Sequence, residues 1–187
     1  MPLYDHRVFD WRGEWWAAQV HGGTGAGMGA RPAITHESVI FTCLSDRDKP
    51  SRSTSIPAGW LLKLGHEAIG RVLNSADVWK DRFDMAPYNA PDADEFPERY
   101  KFQDDNGLSW GARRHQTPIV NKDGPVLRHS VELVCLDDSA LRGEIPFATG
   151  ETLDDFLSIH GTAGLAALAA LLTSRMDNAY DPTEDLH

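Results

Sequence analysis

The spacing of apolar residues changes along the chain, and each change predicts an element. Arg7–Trp11 and Trp15–Val20 read as two short strands. Arg12-Gly13-Glu14 between them reads as a tight turn, with glycine supplying unusual backbone angles. Trp11 and Trp15 are expected on one face of this hairpin and Trp16 on the other. His21–Gly29 holds five glycines in nine residues and reads as a mobile loop. Val39–Leu44 is a short run of β-branched and aromatic residues, a central strand. Arg52–Ile56 is a weaker fourth strand that Pro57 closes. The period then lengthens. Leu64, Ala68, Ile69, Val72, Leu73 and Ala76 form one apolar stripe, so an amphipathic helix is predicted there.

A similar series follows. Tyr100–Phe102 and Leu108–Ala112 predict a second hairpin, turned at the dipeptide Asn106-Gly107. A shorter loop at Asn121–Pro125 takes the place of the glycine-rich one. Val131–Leu136 is a second central strand. Thr152 is placed to cap a second helix, with Asp155 three residues on favouring the positive helix start. Leu153, Phe156 and Leu157 face inward. His160-Gly161-Thr162 breaks or kinks the helix before Ala163–Arg175 continues it.

The resemblance between the two series extends to the letters. Gly13-Glu14-Trp15-Trp16-Ala17-Ala18 and Gly107-Leu108-Ser109-Trp110-Gly111-Ala112 share Gly-x-x-Trp-x-Ala. Ser38–Asp46 is echoed by Ser130–Asp138, including Cys43 and Cys135, and Ile56-Pro57 returns as Ile145-Pro146. The offsets are 94, 92 and 89 residues. The expected fold is therefore α+β: two diverged β-β-β-β-α repeats, with antiparallel sheets each covered by one helix. The repeats span 1–79 and 100–175. An acidic linker over 80–99 contains Pro87, Pro91 and Pro97, and an acidic flexible tail covers 176–187. A unit this small with one helix buries a limited core, so the copies are expected to pack together.

Composition narrows the function. Net charge is −3 over 80–99 and −4 over 176–187, against −10 for the whole chain. No basic field is present to gather nucleic acid by counterion release. The longest strongly apolar stretch, Ala163–Leu172, is half of what a bilayer requires, so no membrane helix is read. The first residues lack a basic segment followed by an apolar run, so no secretory signal is read either. Two cysteines within apolar strands read as buried free thiols in a reducing, cytoplasmic setting.

Candidate chemistry is sparse. Leu64–Arg71 resembles the zincin helix in its His66-Glu67, but Gly70 stands where that motif has its second histidine. His21-Gly22-Gly23 resembles the oxyanion turn of some esterases, yet the chain has no Gly-x-Ser-x-Gly. No catalytic set, metal site or cofactor is assigned. The leading expectation is a non-enzymatic, acidic protein-binding module that occupies a partner protein's surface. It would act as a regulatory subunit, a toxin-neutralising protein or an inhibitor that mimics nucleic acid. Trp15 and Trp16 are its expected aromatic anchors. Asp92, Asp94, Glu95 and Glu98 are the carboxylates expected to meet a basic surface on the partner. One alternative is an enzyme without a short motif, its site between the repeats near His21, Gly22, Gly23, Arg52 and His115. A second is a small-molecule or metal sensor with the glycine-rich loop as a lid.

Overall fold

Two left-handed residues start the fold. Arg12 and Gly13 have φ of 58° and 80°, the pair of positive values that a two-residue hairpin turn matched to strand twist requires. They join β1 (His6–Trp11) to β2 (Glu14–Ala26), with Trp11 opposite Glu14. The computed structural model describes residues 6–26, 33–79, 91–122, 124–148 and 151–177. The architecture is α+β, with two antiparallel sheets and two helices. The chain divides into two units, Met1–Ala90 with Arg175–His187, and Pro91–Ser174.

In unit 1, β2 pairs with β3 (Ala33–Cys43) and β3 with β4 (Arg52–Pro57); a two-residue β5 (Asp77–Val78) completes the sheet. Strand alternation places Phe9, Trp11, Trp16, Ala18, Val20, Val39, Phe41, Cys43 and Ile56 on one buried face. Helix α1 (His66–Ser75) lays Ala68, Ile69 and Leu73 into the same core, flanked by Leu64 and Ala76. This is the stripe read from the sequence. The segment leading into α1 is held by Arg7, a wholly buried side chain. Its Nη1 donates to the carbonyls of Leu61 at 3.1 Å and Leu64 at 2.7 Å. Such partners are what make a buried guanidinium tolerable.

Two expectations need correction here. Trp11 shares a face with Trp16, and Trp15 lies on the opposite one, across from Asp10. A turn of only two residues sets Trp11 against Glu14, which fixes the alternation on the return strand. The glycine-rich segment is also more ordered than a mobile loop. His21–Ala26 continues β2, with partners from Ser38 to Ala33 and two bulges. Backbone pairing holds these glycines extended without side chains to pack. Residues 27–29 of the segment lie outside the described residues.

Unit 2 opens with two 3-10 turns, Ala93–Glu95 and Glu98–Tyr100, where the sequence had suggested irregular linker. Residues 80–90 of that linker and 178–187 of the tail are outside the described residues. The sheet runs β6 (Lys101–Gln103), β7 (Ser109–Asn121), β8 (Gly124–Cys135), β9 (Arg142–Pro146). Asp104 ties the β6–β7 turn together. Its carboxylate accepts from the backbone N–H of Asn106 at 2.9 Å and Leu108 at 3.0 Å, and from Trp110 Nε1 at 3.0 Å. Gly107 takes the left-handed position, with φ of 81°.

Trp110, Ala112, Val131, Leu133 and Cys135 form the buried face of this sheet. Helix α2 (Leu153–Asp177) packs Leu172 against Gly143, where a Cβ would come within 2.7 Å of the leucine. Thr152 caps it as expected: its Oγ1 accepts from the Asp155 N–H at 3.2 Å, and the Asp155 carboxylate accepts from the Thr152 N–H at 3.0 Å. The expected break is at Gly161, whose φ of 60° and ψ of −167° are non-helical. Leu153–Ser174 is nonetheless long and apolar enough, by length and composition alone, to cross a membrane. Counting Ala163–Leu172 by itself had omitted the arm before the kink.

The registers of the two sheets can be compared directly. Trp16 faces Cys43, and Trp110 faces Cys135. Leu44 N–H donates to the Trp15 carbonyl and Leu136 N–H to the Ser109 carbonyl, each at 2.8 Å. The fourth strands differ. Ile56 stands opposite Glu37, whereas Ile145 stands opposite Val131, a slip of two residues relative to the Cys43–Cys135 correspondence. In both sheets the central hairpin outruns its neighbours. β1 pairs with β2 only to Gln19, and β4 with β3 only to His36. β6 reaches only Gly111 of β7, and β9 only Ser130 of β8. Each unit thus extends a two-stranded arm beyond its sheet, among the described residues.

Candidate functional site

The Arg12-Gly13 turn overhangs a cleft of about 290 Å³ in unit 1. Four segments build it. Trp11, Arg12, Glu14 and Trp16 come from the first hairpin, and Lys49 and Pro50 from the loop after β3. Arg52 opens β4, and Leu73 and Asn74 end α1. The helix approaches Trp11 so closely that a Cβ on Gly70 would lie 2.3 Å from the indole. Gly70, in the place of the zincin motif's second histidine, therefore serves packing. The fixed indole sets Trp11 Nε1 3.4 Å from Asn74 Oδ1.

Trp16 is 5% exposed, and its Nε1 finds no acceptor among the described residues. A buried indole N–H usually has one, and leaving a donor unpaired costs about 1–3 kcal/mol. Arg12 is a second local imbalance. A non-glycine residue in the left-handed region costs roughly 1–2 kcal/mol. Its guanidinium sits 5.3 Å from the Trp11 ring, a cation–π contact worth about 0.5–1 kcal/mol at an exposed site. The two-residue turn requires that conformation, and the Gly13 N–H donating to Asp10 Oδ1 at 2.9 Å helps hold it.

Charge sets the cleft apart from the rest of the chain. Among the described residues, the lining carries Arg12, Lys49 and Arg52 and one carboxylate, Glu14, within a molecule of net charge −10. Glu14 pairs with Lys49, and that hydrogen bond holds the ammonium pKa above its ordinary value. Lys49 is therefore a fixed cation and not a base or nucleophile. Arg52 Nη1 reaches the Ala76 carbonyl at the end of α1 at 3.4 Å. Among the described residues, the lining holds no serine, cysteine or histidine. It is chemically suited to holding an anion beside aromatic rings.

Of the residues singled out from sequence, Trp16 and Arg52 meet in this cleft. Trp15 lies on the other face, its N–H donating to Ser45 Oγ at 2.9 Å. His21 is exposed, edge-on to Trp79 at 6.2 Å. Gly22 and Gly23 stand opposite Ser38 and Glu37 within the β2–β3 ladder. His115 belongs to unit 2. Its Nδ1 lies 3.0 Å from Glu144, which also accepts from Ser130 Oγ at 2.5 Å. Those two contacts, the serine first, hold the Glu144 acid below its ordinary range. Ser130 and His115 stand opposite each other on β8 and β7, and both contact the same Glu144 oxygen. Glu144 also borders a shallow groove of about 350 Å³ with Thr117, Ile119 and Arg128.

The acidic candidates are in part engaged within unit 2. Asp92 caps the first 3-10 turn through the Asp94 N–H at 2.9 Å. Glu95 lies 3.7 Å from Arg113, and Glu98 accepts from Lys101 at 2.6 Å. Asp94 is exposed. Among the described residues, no three His, Cys, Asp or Glu side chains gather as a metal would need. Cys43 and Cys135 are buried free thiols, and burial drives the Cys135 pKa far up.

Sequence reasoning missed Trp11, Arg12, Lys49 and Asn74 as a group. One signal was available: Arg12-Gly13 occupies a turn where Asn-Gly or Asp-Gly is usual. The remaining members come together only through the fold. No family model, curated protein or solved structure matches the chain.

Proposed function

We propose that the chain is a non-enzymatic protein-binding module, built from two diverged copies of one β-β-β-β-α unit, that acts by occupying a partner protein's surface. The doubling is supported by the matched Trp16–Cys43 and Trp110–Cys135 pairings and by the paired backbone bonds beside them. The slip in the fourth strand marks where the copies have diverged.

The observation that carries the binding role is the arm of unit 2. Ala112–Asn121 and Gly124–His129 form a ribbon whose outer edges pair with no further strand among the described residues. Val120 is 86% exposed and Leu127 58% exposed on it, and the arm of unit 1 carries Ile34 at 59%. Open edges accept a partner's strand, and apolar side chains on alternate positions supply selectivity. Arg113 and Lys101 would have to release Glu95 and Glu98 before the acidic segment could dock on a basic surface. The arm therefore makes the main contact in this reading.

The test is a double substitution, Val120→Asp with Leu127→Asp. Both positions are exposed, so stability should move by no more than about 0.5 kcal/mol. A protein that co-purifies with the wild-type chain from its native host should be lost from the variant. Equal recovery with both chains, or no partner with either, overturns the reading.

A further inference from the structure

We infer that the cleft of unit 1 binds a small aromatic monoanion, one or two rings bearing a single carboxylate. The site is separate from the arm, and either reading can fail without the other.

Size comes first. At roughly 30 Å³ per water in the liquid, the cleft of about 290 Å³ has room for about ten waters. That admits one or two fused rings with a head group. Trp11 and Trp16 line it, and Gly70 holds Trp11 in place. Trp11 and Trp16 are 9% and 5% exposed, so each indole shows the cleft a small part of its surface, against which a flat apolar body can pack.

Charge selects the head group. Lys49 is engaged by Glu14, which leaves the guanidinium groups of Arg12 and Arg52 as the recognition pair. Planar guanidinium groups match a carboxylate through paired hydrogen bonds. Glu14, beside Lys49, disfavours a second negative charge on the ligand, and the two arginines exclude a cation. At Arg12 the turn places a guanidinium in the cleft lining where asparagine or glycine would fold more easily.

The experiment follows the indole N–H signals of the full-length, ¹⁵N-labelled chain during titration with 2-naphthoate and with its neutral counterpart 2-naphthamide. Trp11→Phe and Trp16→Phe assign the two cleft signals. Saturable shifts of those signals with naphthoate are expected, with the amide binding at least about tenfold more weakly. Arg12→Gly should weaken naphthoate binding by about fivefold or more without loss of the fold, because glycine is at ease at φ of 58°. Arg52→Gln should weaken it similarly. Equal affinity for acid and amide overturns the proposal, as does indifference to both arginine substitutions. Shifts confined to Trp79 or Trp110, or no saturable shift at all, overturn it equally.

Discussion

Asp104 shows how much one side chain can hold. A single carboxylate, 7% exposed, satisfies two backbone N–H groups and the indole of Trp110. Asp104→Ala strands all three donors. Each costs about 1–3 kcal/mol when left buried and unpaired. Local relaxation and water access reduce the total, so a loss of about 3 kcal/mol is expected in urea or thermal unfolding. A loss below about 1 kcal/mol would mean the turn stands on Gly107 alone. The turn itself was legible, because Asn106-Gly107 is a strong local signal. Asp104's reach to Trp110 was not, since it spans six residues and depends on the hairpin register. Gly70 gives the opposite lesson. Read against a catalytic motif it is a missing histidine; read against Trp11 it is the only residue that fits. Gly70→Ala should therefore destabilise by about 1–3 kcal/mol through overpacking. Helix propensity alone predicts a gain of about 1 kcal/mol. The sign of the change in thermal midpoint decides between them.

At the scale of elements, strong periodicity was readable and weak periodicity was not. The stripe from Leu64 to Ala76 specified α1 because packing on the first sheet demands that spacing. The outer halves of the β2–β3 and β7–β8 hairpins carried no such pattern. Glycines or polar residues make up much of them, and ladder hydrogen bonds rather than burial extend the strands there. Helix α2 was readable at its cap and its kink. Gly161 sits at φ 60°, ψ −167°, a region that other residues avoid. Gly161→Ala should lower stability by about 1–3 kcal/mol; a rise in melting temperature would show that the break is dispensable. The cap also sets a pH dependence. The Thr152 hydroxyl first, and its N–H second, hold the Asp155 acid below its ordinary value. The folded value lies below the unfolded one, so the cap's contribution is complete above the ordinary carboxylate range. It is lost as pH falls through the depressed value. Hydrogen exchange at the first turn of α2 should rise over that acid window and stay flat from neutral to mildly alkaline pH, once intrinsic exchange is factored out. Asp155→Ala should remove the acid step.

For the molecule as a whole, composition was informative about totals and uninformative about place. A net charge of −10 pointed to acidic segments as the interacting parts, and several of those carboxylates are spent on bonds within unit 2. The cationic cleft was invisible because its residues come from three separated stretches of chain and its charge is small beside the total. The tryptophan of each Gly-x-x-Trp-x-Ala does stand opposite a cysteine, Trp16 facing Cys43 and Trp110 facing Cys135. What the letters missed was the different register of the fourth strand, since an Ile-Pro pair occurs in both sheets yet faces different partners.

That difference has a consequence for how the chain reaches its native state. Two hairpins that each set a tryptophan opposite a cysteine invite cross-pairing, in which a strand docks on the other sheet or on another molecule. An offset of two residues keeps the same side chains facing inward, yet it leaves β9 misaligned on β3, so the wrong pairing is weaker than the right one. Refolding from denaturant should then show a slow phase whose share grows with protein concentration, as errors between molecules are undone. A single phase independent of concentration would mean that the two halves never compete.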